Sequence, residues 1–172
     1  MKKLSKKNYK KVGILGGSFD PPHFGHLYIS KTALKKLKLD YLLWIVTKKN
    51  PLKKKPYLSA KKRIQLSKNI TKNKKKIFVK YLDNKVKSNN TYNLLNYLKM
   101  KNKKIKFFFI IGADNFINLH KWKNWKKISL LAKIIVFPRQ NYSVKALHSI
   151  ASKKLKKDDW YYVKCKKVNI SS

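Results

Sequence analysis

The sequence predicts an α/β fold in which a parallel sheet carries helices on both faces. Three observations point there. Strand-like and helix-like segments alternate about five times along the chain, the pattern of a helix-covered parallel sheet. Most of the strand-like segments are continuous apolar runs, as strands buried on both faces must be. No internal repeat or linker-like stretch interrupts the 172 residues, a length that suits one domain.

The elements follow in order. Residues 1–10 read as a basic N-terminal tail and residues 11–172 as the folded domain. Residues 11–15 (KVGIL) form a short strand, with a tight turn at Gly16-Gly17. Over residues 24–39, Leu27, Ala33, Leu34 and Leu37 recur at helical spacing, with lysines opposite. Residues 41–46 (YLLWIV) are a buried strand, and the following TKKNPLKKKPY is a polar, Pro-bearing loop. Ser59 is placed to cap a helix over residues 60–69, with Ile64 and Leu66 facing inward. Residues 76–82 (KIFVKYL) read as a strand and residues 91–100 as a helix turning Tyr92, Leu94, Leu95 and Leu98 to one side. Residues 106–111 (KFFFII) are an apolar strand ending at Gly112. Short helices over 114–119 and 125–131 lead to a strand over 132–137, which Pro138 stops. A helix over 143–156 and a last strand over 160–164 complete the order.

Charge is the most conspicuous bulk property. Lys and Arg number 45 against six acidic residues, all Asp, for a formal net charge of +39. Such a charge suggests nucleic acid or an anionic membrane surface. Its distribution favours a solvated surface instead, because lysines occupy every segment rather than one block. Only Arg63 and Arg139 are arginine, the residue suited to bidentate reading of phosphates and bases. A nucleic-acid partner is therefore not favoured, although the field should draw anionic small molecules, most strongly at low salt. A hydrophobic content of 43% argues against a disordered chain. The lone Cys165 excludes an internal disulfide framework and fits a reducing compartment. No apolar run is long enough to span a bilayer, and the basic N-terminus lacks the apolar region of a signal peptide. A cytoplasmic protein with no membrane partner is expected. His120 and His148 have no metal-ligand spacing with each other or with Cys165, so no protein-held metal is expected.

The stretch that carries chemistry is Gly16-Gly17-Ser18-Phe19-Asp20-Pro21-Pro22-His23-Phe24-Gly25-His26. It joins the first strand to the first helix, at the carboxyl end of the sheet where α/β folds bind ligands. Gly16 and Gly17 let backbone approach a phosphate, since no Cβ intervenes. The helix beginning near His23 points N–H groups and a positive dipole end at the same place. His23 and His26, three apart, share a helix face, and Gly25 between them leaves room for a nucleotide. The alternative for a bare histidine pair is a helix cap or half-buried packing. The full string in strand–turn–helix context favours a phosphate site.

GGSFDPPHFGH resembles the nucleotide-binding signature of the bacterial nicotinate-nucleotide adenylyltransferases, within the HxGH nucleotidyltransferase superfamily. Its His23 separates it from pantetheine-phosphate adenylyltransferases, which look like Asp-Pro-x-Thr-x-Gly-His. The likeness continues through residues 108–115 (FFIIGADN), 120–125 (HKWKNW) and 132–142 (AKIIVFPRQNY), and covers residues 11–172 in order. It implies a Rossmann-like, doubly wound sheet. It also implies transfer of AMP from ATP to nicotinate mononucleotide, giving nicotinate adenine dinucleotide and pyrophosphate, in NAD biosynthesis. The other acceptors to weigh are nicotinamide mononucleotide and phosphopantetheine. The rival from another class is a basic nucleic-acid-binding protein on a decayed enzyme fold.

By the same resemblance, His23 and His26 would be catalytic, contacting the ATP phosphates. Gly16, Gly17, Ser18, Phe19, Gly25, Gly112, Asp114 and Ser171 would form the ATP side. Thr91, Asn93, Trp122, Lys53 and Arg139 would form the nicotinate-nucleotide side, with Trp122 stacking on the ring. Mg²⁺ would be held mainly by the triphosphate, as no carboxylate cluster is visible, and Asp20 would cap or brace its turn. The competing assignments are an N-cap for Asp114, ordinary packing for Trp122 and a surface position for Arg139. Two departures stand out. Asn93 replaces the second Thr of the family's Thr-Tyr-Thr. The sequence ends at Ser171-Ser172, where the family continues Ile-Ser-Ser-Thr-x-Ile-Arg into a closing helix, so that helix is expected to be missing.

Overall fold

A computed structural model describes residues 10–48, 55–88 and 90–165. Lys53, Ser171, most of the Pro-bearing loop and the C-terminal motif lie outside the described residues.

Six strands form one sheet in the order β3-β2-β1-β4-β5-β6, and every pair is parallel. They are β1 (Lys10–Gly17), β2 (Tyr41–Val46), β3 (Ile77–Tyr81), β4 (Ile105–Gly112), β5 (Lys133–Phe137) and β6 (Trp160–Tyr162). This is the doubly wound arrangement, with its topological switch between β1 and β4. The helices are α1 (Phe24–Lys36), α2 (Ala60–Thr71), α3 (Asp83–Val86), α4 (Thr91–Lys101), α5 (Ala113–Ile117), α6 (Trp125–Leu131), α7 (Ser143–Leu147) and α8 (Ile150–Lys154).

Alternation along each strand splits the apolar residues between two cores. Leu42, Trp44 and Val46 of β2, with Phe108 and Ile110 of β4, pack under α1 beside Leu27 and Ala33. Val12 and Ile14 of β1, with Phe107, Phe109 and Ile111, face Leu94, Leu95 and Leu98 of α4. Phe107 to Ile111 therefore read as an unbroken apolar run because each face of the sheet takes every second residue. Gly13 is closely packed: a Cβ there would stand 2.8 Å from Leu39 Cδ1.

Three expectations are corrected, and one helix was not anticipated. Strand β1 runs through Gly16 and Gly17, which pair with Ile45 and Val46. The turn comes later, where Phe19 adopts a left-handed φ of 51°. The fully buried face of α2 is Arg63, Ser67 and Thr71; Ile64, half-buried, packs against the core as expected, whereas half-buried Leu66 is not among the described residues packed on it. The single helix expected over 143–156 is two, because the Ser149 side chain accepts from Ser152 N–H at 3.2 Å and caps α8 in mid-segment. Helix α3, one turn closed by Lys87 at φ 50°, has no apolar periodicity to announce it.

Candidate active site

A cavity opens at the carboxyl end of the sheet, over the switch between β1 and β4. Its walls come from the end of β1 (Gly16 to Phe19), the start of α1 (His23, Gly25, His26), the β4–α5 junction (Gly112, Asp114), Trp122, and Arg139 beyond β5. Thr91 and Asn93, in the first turn of α4, do not line it. Instead the Asn93 N–H donates to the Asn90 side chain, which caps α4, at 2.9 Å.

The start of α1 is built by the two histidines. His23 is the N-cap, and its Nδ1 accepts from Gly25 N–H at 3.1 Å. His26 Nδ1 accepts in return from His23 N–H at 3.3 Å, a reciprocal cap of the kind Ser and Glu usually make. The rings lie 4.0 Å apart. The helix end thus offers fewer open N–H groups than expected, since those of His23 and Gly25 already bond to imidazoles. The cap fixes the tautomer. An accepting Nδ1 carries no proton, so each neutral ring has its hydrogen on Nε2. Burial, and secondarily the charge of Arg139, hold the His23 pKa below its ordinary 6.5. His23 is therefore neutral near pH 7 and can donate a hydrogen bond from Nε2.

The glycine wall is open. A Cβ on Gly16 would meet nothing nearer than Phe109 at 3.9 Å, and one on Gly17 nothing nearer than Phe19 at 3.6 Å. The protein leaves that space unfilled. Phe19, 1% exposed as a whole residue, lines the cavity while its ring stacks on Trp44 at 4.9 Å. Trp44 Nε1–H donates to Ser30 Oγ at 2.7 Å, and Ser30 Oγ–H to the His26 carbonyl at 2.7 Å. This chain fixes the first turn of α1 against β2.

On the opposite wall Arg139 Nη1 donates to Asp114 Oδ2 at 2.9 Å. Asp114 Oδ1 is buried and has no partner among the described residues, so it retains an acceptor for a ligand hydroxyl or amine. The N-cap of α5 is Gly112, not Asp114. A side chain at Gly112 would press on that same oxygen, its Cβ only 2.5 Å away. Trp122 meets Phe109 edge-on at 6.2 Å and packs against the core while also lining the cavity. Trp125 packs on the core alone.

Asp20 braces the site from outside. Its carboxylate accepts the N–H groups of Tyr57 and Leu58, the latter at 2.9 Å. Among the described residues no group of three or more His, Cys, Asp or Glu could hold a metal ion. Sequence reasoning overlooked Arg63. It is 1% exposed, and among the described residues its guanidinium bonds only to backbone carbonyls around the site. The signal was available, since an arginine is rare where nearly every cation is lysine.

The cytidylyltransferase-like family model matches residues 14–172. A probable nicotinate-nucleotide adenylyltransferase of Pelagibacter ubique is 47% identical over 94% of this chain and 89% of its own length. The chain belongs to the nicotinate-nucleotide adenylyltransferase family. A second family member, from Ruegeria sp., is 37% identical over 83% of this chain and 75% of its own. The fold agrees with that of Plasmodium falciparum nicotinic acid mononucleotide adenylyltransferase complexed with NaAD. The TM-score is 0.75 at 23% identity, covering 94% of this chain and 78% of that one.

Proposed function

We infer that this protein transfers the adenylyl group of ATP to nicotinate mononucleotide, forming nicotinate adenine dinucleotide and pyrophosphate. A phosphate oxygen of the acceptor attacks the α-phosphorus, the bond to the bridging oxygen of the β-phosphate breaks, and pyrophosphate leaves. Both reacting groups are anions, so the protein's task is to hold them in line and neutralise charge. The observation that carries this reading is the convergence of two Nε2–H imidazoles, an unfilled glycine wall and Arg139 on one cavity, in a chain so similar to named family members.

In this reading Gly16, Gly17 and Ser18 give the phosphates room and backbone contact, and His23 and His26 donate to them. The free Oδ1 of Asp114 accepts from a ribose hydroxyl, with Arg139 steadying its carboxylate. Trp122 offers a face to the nicotinate ring. Bound Mg²⁺ would supply further charge neutralisation on the phosphates. Phosphate oxygens would hold it, because Asp20 is engaged with backbone and Asp114 with Arg139. The reaction belongs to the cytoplasmic stage of NAD biosynthesis. Among the described residues no helix is long and apolar enough to cross a membrane.

The test is pyrophosphate release by purified protein given ATP, Mg²⁺ and nicotinate mononucleotide, with nicotinamide mononucleotide and phosphopantetheine as competing acceptors. Turnover with nicotinate mononucleotide at the highest kcat/KM is expected. A higher value for either alternative would displace this reading.

A further inference from the structure

Arg63 is the one large cation in the described structure that is wholly enclosed. It sits on the inward face of α2, 1% exposed, and makes no salt bridge among the described residues. Its donors reach four carbonyls in three separate segments. Nη1 donates to Ser18 O and, at 2.8 Å, to Thr47 O; Nη2 donates to Lys48 O at 3.1 Å; Nε donates to Leu58 O at 3.0 Å. Ser18 belongs to the turn that walls the phosphate cavity. Thr47 and Lys48 begin the loop after β2, and Leu58 leads into α2. The same segments are tied directly as well. Thr47 N–H donates to Gly17 O at 3.0 Å, and Asp20 accepts from Leu58 N–H. Lys48 N–H donates to Asp83 at 2.6 Å, which anchors the far side of the loop.

A buried cation is costly unless its donors are satisfied. A planar fork with five fixed N–H groups can satisfy several carbonyls in different directions; an ammonium on a flexible stem cannot. The arginine here is therefore chosen for geometry rather than charge. Removing it would leave four carbonyls, including that of Ser18, free to rotate. Peptide planes turn as units, so rotation of the Ser18 carbonyl also turns the Phe19 N–H at the cavity wall.

We propose that Arg63 is a positioning residue: it sets the Gly17–Ser18–Phe19 turn in the orientation that receives the reacting phosphates and couples that turn to the loop after β2. This rests on the adenylyl-transfer reading of the cavity. It acts without touching substrate, through backbone that does.

The test compares Arg63→Lys with Thr71→Ala, which alters the same buried face of α2 two turns away. In Arg63→Lys, kcat should fall about 100-fold, the scale of an ångström-level misplacement. Calorimetric affinity for a non-hydrolysable ATP analogue should fall far less. Amide exchange at Gly17–Phe19 and Thr47–Lys48 should accelerate in the free protein. Thr71→Ala should lower the melting temperature and leave kcat and those amides unchanged. If Arg63→Lys, measured well below its melting point, keeps parental kcat and exchange, the proposal is overturned. If the parent transfers no adenylyl group, the functional reading fails first, and exchange at the turn still judges the clamp. Should Arg63→Lys not fold, the parent decides the matter. Adding the ATP analogue should protect Thr47 and Lys48 together with Gly17–Phe19, whereas protection of the turn alone would refute the coupling.

Discussion

His23 caps α1 through Nδ1, and in the proposed adenylyl transfer it has a second, separable task, donating to a phosphate from Nε2. Asparagine can perform the first, but its shorter side chain places no donor where Nε2–H stands. His23→Asn should melt within about 1 kcal/mol of the parent yet lose at least about 100-fold in kcat/KM, read by paired thermal and pyrophosphate assays. The pH dependence has a defined sign. Burial and Arg139 hold the folded pKa below the ordinary 6.5, so in that window the unfolded chain binds the proton more readily. Stability should fall as pH drops below 6.5 and level off beneath the folded pKa. Urea titrations across that range should show the slope in the parent and less of it in His23→Asn. Gly17→Ala makes the complementary case. The new methyl meets nothing within 3.6 Å of its carbon and the backbone needs no left-handed φ. The melting temperature should hold while the KM for ATP rises; a drop in stability with unchanged KM would show that the space is not a ligand's.

At the scale of elements, α1 is oriented by one buried polar chain through β2. Trp44 is fully buried, and its indole N–H is the donor to Ser30 Oγ, which in turn donates to the His26 carbonyl. Trp44→Phe keeps most of the apolar contact with Phe19 and removes the donor. The loss should be about 1–3 kcal/mol for a buried group left unpaired, measured by chemical denaturation, with a fall in kcat as His26 loosens. The stop signals in this chain were legible where they were chemical. Pro138 ends β5 and Ser59 caps α2 as expected. They failed where a local hydrogen bond overrode periodicity, as at Ser149, or where main-chain pairing carried a strand through two glycines, as in β1.

For the whole molecule, Arg63 is the one buried cation among the described residues, and the sole described salt bridge is the one in the cavity. The other described cations are at least partly exposed and contribute to a formal charge of +39. Its expected role is kinetic: a cationic field concentrates anionic nucleotides and is screened within about 10 Å at 0.1 M salt. Raising ionic strength should lower kcat/KM for both substrates and leave kcat nearly unchanged. Equal loss in both would point to a specific ion pair at the site instead.

By itself the sequence determined the parallel sheet and the place of the cavity at its carboxyl end. Apolar runs such as Phe107 to Ile111 can be accommodated only between two helical layers, and a glycine pair followed by spaced histidines has one natural home, at the end of a strand. What Asp114, Arg139 and Arg63 do was decided only by tertiary structure. Asp114 and Arg139 stand 25 residues apart yet meet across the cavity. Arg63 reaches a turn 45 residues away and bonds to carbonyls that every residue possesses. Partners of that kind leave no mark in a linear pattern, because a backbone carbonyl is the same whatever side chain stands beside it.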